Sequence, residues 1–260
     1  MTVTDSDGLR IYVHPTTGER FRSVTSVLAA AAKPALERWK TRTIAQYAAD
    51  NRSMLATKSA VDAFELIRSS QYTTTGGAAA TGTMVHTRVE SLLRGDPVPD
   101  DPSLSYVDRA YQELTDEFDV EPLLIESTLV NRTVGYAGSA DLVARIRPRA
   151  TRAREWSTAV IDLKTGKSVY GSMALQLTAY ADAEHVLTVD GAEREMPRVD
   201  ACYVWHLRPR SWSLRPMRYD AHTRRSFTAL VDVDRWLRTE RDAVGAPVNA
   251  AAIARQRVSA

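Results

Sequence analysis

The sequence predicts an α/β domain: a central mixed β-sheet flanked by helices, preceded by a helical amino-terminal region. Two observations support this directly. Between Leu123 and Leu163 the apolar residues tend to alternate, as strands with a buried face require, and on either side they recur at helical spacing. Length is the third: 260 residues, 44% hydrophobic and 25% charged, suffice for one substantial core of ordinary globular composition.

In chain order, Leu9 to His14 and Arg20 to Val24 read as a small hairpin turned through Pro15-Thr-Thr-Gly18. Ser26 to Ala49 reads as helical, with Pro34 opening a second helix and Trp39 on its apolar side. Val61 to Ile67 is a short helix, Thr73 to Gly77 a breaker, and Ala78 to Leu93 a helix stopped by Gly95-Asp-Pro97. Ser103 to Phe118 is a further helix. Leu123 to Val130, Tyr136 to Ile146 and Thr158 to Leu163 are strands, followed by a helix from Ser172 to Leu187. Asp200 to Leu207 and Trp212 to Tyr219 form a strand pair, and Ala221 to Val244 a long amphipathic helix. Residues 1–75 are thus a hairpin and helical lead-in, 76–245 the core and 246–260 a loosely held tail, together one structural domain.

Composition bounds the chemistry. One cysteine, Cys202, excludes an internal disulfide framework and any four-cysteine metal or iron–sulfur site made by one chain. It sits in an apolar run, as a buried inert thiol would. The chain fits a reducing cytosol: no apolar run reaches membrane-span length, and the polar, acidic start does not fit a signal peptide. A net charge of +2 proves no nucleic-acid partner, but two arginine-rich zones could contact phosphates or be solvated loops. One holds Arg145, Arg147, Arg149, Arg152 and Arg154; the other holds Arg208, Arg210, Arg215, Arg218, Arg224 and Arg225.

The residues that carry chemistry lie at strand ends. Ala140-Asp141-Leu142 and Ile161-Asp162-Leu163-Lys164 place two acids and a lysine in apolar runs, where charge is costly. Alternation puts Asp162 and Lys164 on one face of their strand and Ile161 and Leu163 on the other. Two acids on neighbouring strands suit a hard divalent cation, and the lysine can stabilise a phosphodiester under attack. His86 stands inside a helix with Glu90 one turn on, Glu126 lies on the first strand, and Gln176 and Tyr180 share a helix face at i, i+4. Gly135 and Gly138 precede Asp141, where the backbone must bend or approach something closely. Thr165-Gly-Lys-Ser168 imitates the end of a P-loop, but Ile161 stands where that motif needs glycine. Tyr203/Trp205 and Trp212/Tyr219 are expected to pack in the core or across strands.

Gly82-Thr-Met-Val-His86, Gly138-Ser-Ala-Asp141, Ile161-Asp162-Leu-Lys164 and Gln176-Leu-Thr-Ala-Tyr180 stand in order on a helix, two strands and a helix. In this the chain resembles the PD-(D/E)XK nuclease superfamily, and within it the RecB-like and phage-type exonucleases, from about Thr81 to Ala181. Ser23-Val-Thr-Ser-Val with Trp39 also resembles the helical lead-in of small phage-encoded relatives. The resemblance implies a restriction-endonuclease-like core in which His86, Asp141, Asp162 and the carbonyl of Leu163 ligate Mg2+ or Mn2+. Glu126 stands where relatives often carry a further acid near the metal. Lys164 would position or activate the attacking water or stabilise the phosphorane, and Gln176 and Tyr180 would orient the site and the DNA backbone. Members with an iron–sulfur cluster carry cysteines that this chain lacks.

The implied function is metal-dependent DNA exonuclease activity in recombination, repair or phage DNA metabolism, in a bacterial or phage-infected cytoplasm. DNA, single-stranded or with free ends, is the expected partner, alongside a recombination or single-strand-binding protein, with no membrane. A structure- or site-specific endonuclease of the same fold and a catalytically inactive DNA-binding protein are the alternatives.

Overall fold

The structure, a computed structural model, describes residues 2–4, 8, 10–31, 34–150 and 155–245. Leu9, Arg152, Arg154 and the expected tail from 246 onward lie outside the described residues. Three short strands open the chain, β1 (Thr2–Thr4), β2 (Arg10–Val13) and β3 (Arg20–Ser23), joined in antiparallel pairs. The hairpin expected from the sequence is thus β2–β3, and β1 extends it. Ser23 caps α1 (Val24–Ala29) by accepting from the Ser26 N–H at 3.0 Å. The helices α2 (Pro34–Asp50) and α3 (Arg52–Leu55) follow, with Pro34 at a first-turn position where its missing donor costs nothing.

Next comes α4 (Ala60–Arg94), one unbroken helix where the sequence predicted two helices around Thr73–Gly77. Threonine and glycine lower helix propensity by roughly 0.5–1 kcal/mol each relative to alanine, but none removes a backbone donor as proline does. Helical segments on both sides propagate through them. The helix stops at Gly95, left-handed at φ 72°, with the Asp96 N–H donating to the Ser91 carbonyl at 2.9 Å. Trp39 is 39% exposed rather than packed on an apolar side.

A 3-10 turn (Pro102–Leu104) leads into α5 (Ser105–Glu117), and then come the long strands β4 (Phe118–Asn131), β5 (Tyr136–Pro148) and β6 (Ser157–Lys164). Helix α6 (Ser172–Ala181) is shorter than expected, because His185–Leu187 is a strand, β7, paired with β4. Asp182 ends the helix. Its carboxylate accepts from Tyr219 Oη at 2.9 Å and from Arg224, and its carbonyl accepts from Asn131 Nδ2 at 2.7 Å. The chain continues through β8 (Glu193–Glu195), β9 (Ala201–Arg208), β10 (Ser211–Met217), α7 (Ala221–Thr239) and a closing 3-10 turn (Glu240–Ala243).

The described strands form one mixed sheet. β4 and β5 run antiparallel along nearly their whole length, and β7 and β8 continue the sheet beyond β4. The other edge of β5 is shared. Tyr136 and Ala137 pair with β3 in parallel, whereas Leu142 to Ile146 pair with β6 antiparallel; β9 lies parallel to β6, with β10 outside it. One face is covered by α1, α6 and α7, whose Val24, Leu177 and Phe227 meet Val160 and Val204. The other is covered by α4 and α5, whose Val85, Val89 and Leu114 meet Leu142, Ile161 and Trp205. Val160 and Ile161 therefore face opposite cores, as the alternation in the sequence requires.

Candidate active site

The site lies where β6 separates from β5. Their pairing ends at Leu142–Ile161, so residues 138–141 have no ladder partner on that edge. The Leu163 N–H instead donates to Asp141 Oδ2 at 2.7 Å. In an extended strand a residue's N–H and carbonyl point to the same edge, so the Leu163 carbonyl faces this opening too. Beyond the opening, β6 stays paired to β9 as far as Lys164.

Glu126 enters from β4. It stands opposite Asp141 between the pairs Ile125–Leu142 and Ser127–Ala140, at φ 46°, the one described residue other than glycine with positive φ. A register shift between Pro122 and Leu124 lies just upstream. Such strain in a non-glycine residue persists only where its surroundings enforce it. From α4, His86 Nδ1 lies 3.6 Å from Glu126 Oε1 and 3.6 Å from Asp141 Oδ1. One ligand atom from each of these three residues lies within 4.8 Å of the others.

Asp162, 1% exposed, points to the α6 side. It forms an ion pair with Lys164, and its Oδ1 accepts from Gln176 Nε2 at 3.2 Å. Gln176 also reaches Tyr180 Oη at 3.0 Å, as the i, i+4 spacing allows. The Tyr180 ring fills the space over Gly138: a Cβ there would come within 2.5 Å of Tyr180 Cε1 and 3.2 Å of Val24 Cγ2. That close approach explains the glycine ahead of Asp141.

The electrostatics follow from this crowding. Burial, and then the neighbouring Asp162, push Asp141 up to about 7. Burial also raises Asp162, against the pull of Lys164. Burial alone would lower His86, but the Glu126 and Asp141 carboxylates outweigh it and hold the imidazole above its ordinary value. Glu90 takes no part and pairs with Arg94 at 2.9 Å.

His206 escaped the sequence reading, and Arg208 was read only as part of a basic zone. His206, opposite Lys164 in the β6–β9 register, is hydrogen-bonded through Nε2 to the Gly166 carbonyl at 2.7 Å. Arg208 donates to the Thr165 carbonyl at 2.6 Å. Together they fix the turn after Lys164. The only sequence sign was a histidine and an arginine two apart on a strand, ending an apolar run. The carbonyls of Thr165 and Gly166 thus anchor this turn.

Among the described residues, the arginines of the first basic zone are paired within the chain. Arg145 pairs with Glu121, Arg147 and Arg149 with Asp119, and Arg145 and Arg147 lie over the Trp156 ring at 4.9 and 4.6 Å. In the second, Arg224 is held by Asp182 and Arg218 lies 3.8 Å from Asp220, while Arg210, Arg215 and Arg225 are exposed. Trp205 is buried, and Trp212 donates from Nε1 to Glu113. Burial pushes the Cys202 thiol up to about 12, in keeping with the inert thiol expected. No helix among the described residues is long and apolar enough to cross a membrane.

No family model matches the chain, and no curated protein does. A solved structure, that of SSO0001, is similar at 16% identity over 83% of this chain and 75% of its own, with a TM-score of 0.37.

Proposed function

We propose that this chain is a metal-dependent deoxyribonuclease that hydrolyses phosphodiester bonds from DNA ends, working in the cytoplasm. The reading treats the sheet and its flanking helices as a restriction-endonuclease-like core. One observation carries it: His86, Glu126 and Asp141 meet the Asp162–Lys164 pair where β6 leaves β5.

The donor set fits a divalent cation. Two carboxylates and an imidazole, with ligand atoms within 4.8 Å, are stabilised by a cation more than by one another. The buried Asp162 carboxylate is paired with Lys164 through Oδ2 and accepts from Gln176 at Oδ1. His86, Glu126, Asp141 and Asp162, with the Leu163 carbonyl, would hold Mg2+ or Mn2+. When bound, the ion would polarise the scissile phosphate and lower the pKa of a water.

The remaining work falls to the chain itself. Lys164, a quarter exposed at the strand end, can offer its ammonium to a phosphate oxygen or to water. Gln176, braced by Tyr180, fixes the orientation of Asp162. His206 and Arg208 hold the backbone that follows Lys164 in place.

Asp162→Ala should leave a folded protein whose metal-dependent cleavage falls by roughly a hundredfold or more, the scale of losing one preorganised electrostatic group. Titration with Mn2+ should show binding that Asp141→Ala abolishes. Cleavage by Asp162→Ala at the parent rate would contradict the reading.

A further inference from the structure

Glu126 belongs to a second feature as well. A cavity of about 410 Å3 lies against β4 and the β7–β8 hairpin, lined by Leu124, Glu126, Thr128, Leu187, Val189 and Arg194 among others. That volume lies in the range of small-molecule sites, which runs from about 300 to 1,000 Å3. Most of its surface is apolar: Leu187 is buried in its wall, and Val189, 98% exposed, stands at its rim. Polar and charged side chains line it as well. Arg194 and Glu195 are exposed there, and Ser127, Thr128 and Thr188 offer hydroxyls.

An apolar slot with a guanidinium, a carboxylate and hydroxyls around it suits a nucleobase. The flat faces of a base are apolar, and its edge carries both donors and acceptors. A base can reach such a slot only if it is unstacked and unpaired. Because the cavity shares Glu126 with the cluster of His86 and Asp141, a base seated in it would place its own phosphate beside that cluster.

We infer that this cavity is a nucleobase subsite for an unpaired nucleotide next to the scissile phosphate. The inference rests on the nuclease reading for its purpose, but binding can be measured without hydrolysis. Calorimetry in EDTA would compare deoxyadenosine 5′-monophosphate with deoxyribose 5-phosphate, which lacks the base. The full chain should bind the nucleotide at least ~10-fold more tightly, a factor worth about 1.4 kcal/mol. Thr128→Trp, which fills the cavity, should abolish that preference; Arg194→Ala, at an exposed position, should reduce it without disturbing the fold. Equal binding of the two probes, or a preference that both variants retain, would overturn the subsite. Metal-dependent cleavage that persists beside equal binding would sink the subsite alone. Base-dependent binding in a protein that cleaves nothing would keep the subsite and sink the nuclease reading.

Discussion

Gly138 shows how one residue type sets the geometry of the candidate site. The Tyr180 ring, 4% exposed, occupies the place of a side chain there, and Tyr180 braces the Gln176 amide that holds Asp162. Gly138→Ala should therefore cost about 1–3 kcal/mol, as overpacking does, and should lower turnover more than substrate affinity. Denaturant unfolding and steady-state kinetics would check both; unchanged stability would mean that the ring has room to move. Asp141, Asp162 and Lys164 stood out in the sequence because charge in an apolar run is conspicuous, whereas His86, Glu126, Gln176 and Tyr180 were assigned to the site by the motif resemblance. His206 and Arg208 were not: their role comes from register with β6, which alternation within a single strand does not encode.

At the scale of elements, α7 is capped at its start and tied to the sheet further along. At its start, the Thr223 N–H and hydroxyl donate to Asp220, at 2.8 and 2.9 Å, and hold that carboxyl below the usual range. A carboxyl lowered by folding contributes stability that is present above its unfolded pKa and is lost as pH falls through the folded value. Asp220→Asn keeps an acceptor but not the charge, so its melting temperature should fall less than the parent's between neutral and acidic pH. Identical acid dependence of the two would count against this. Further along α7, Asp234 receives Arg22 of β3 through Nε at 3.1 Å and Nη2 at 3.2 Å, with both partners 6% exposed. Asp234→Ala should cost roughly 3 kcal/mol, because the carboxylate of a buried pair is lost while the guanidinium stays. Urea unfolding measures it, and a cost within error of zero would refute it. In the sequence, α7 and the three long strands were legible through their periods, but β7 was not. Val186 and Leu187 continue the apolar run of α6 and become a strand only by pairing with β4, more than fifty residues upstream. The continuity of α4 was also hidden, because local propensity at Thr73–Gly77 was outweighed by the helix on either side.

At the scale of the whole molecule, the layered α/β architecture was legible, because periods of two and of 3.6 alternate along the chain. The opening between β5 and β6 was not, since it depends on β3 and β6 sharing one edge of β5. That opening brings together His86, Glu126, Asp141, Asp162 and Lys164 from α4, β4, β5 and β6. The most direct test is cleavage of end-labelled linear DNA and covalently closed circles, single- and double-stranded, with Mg2+ or Mn2+, alongside Asp162→Ala and EDTA controls. Loss of linear substrate alone, abolished both by Asp162→Ala and by EDTA, is the predicted result. Circles cut as fast as linear strands would contradict end-dependence, and no metal-dependent cleavage of any substrate would contradict the nuclease reading itself.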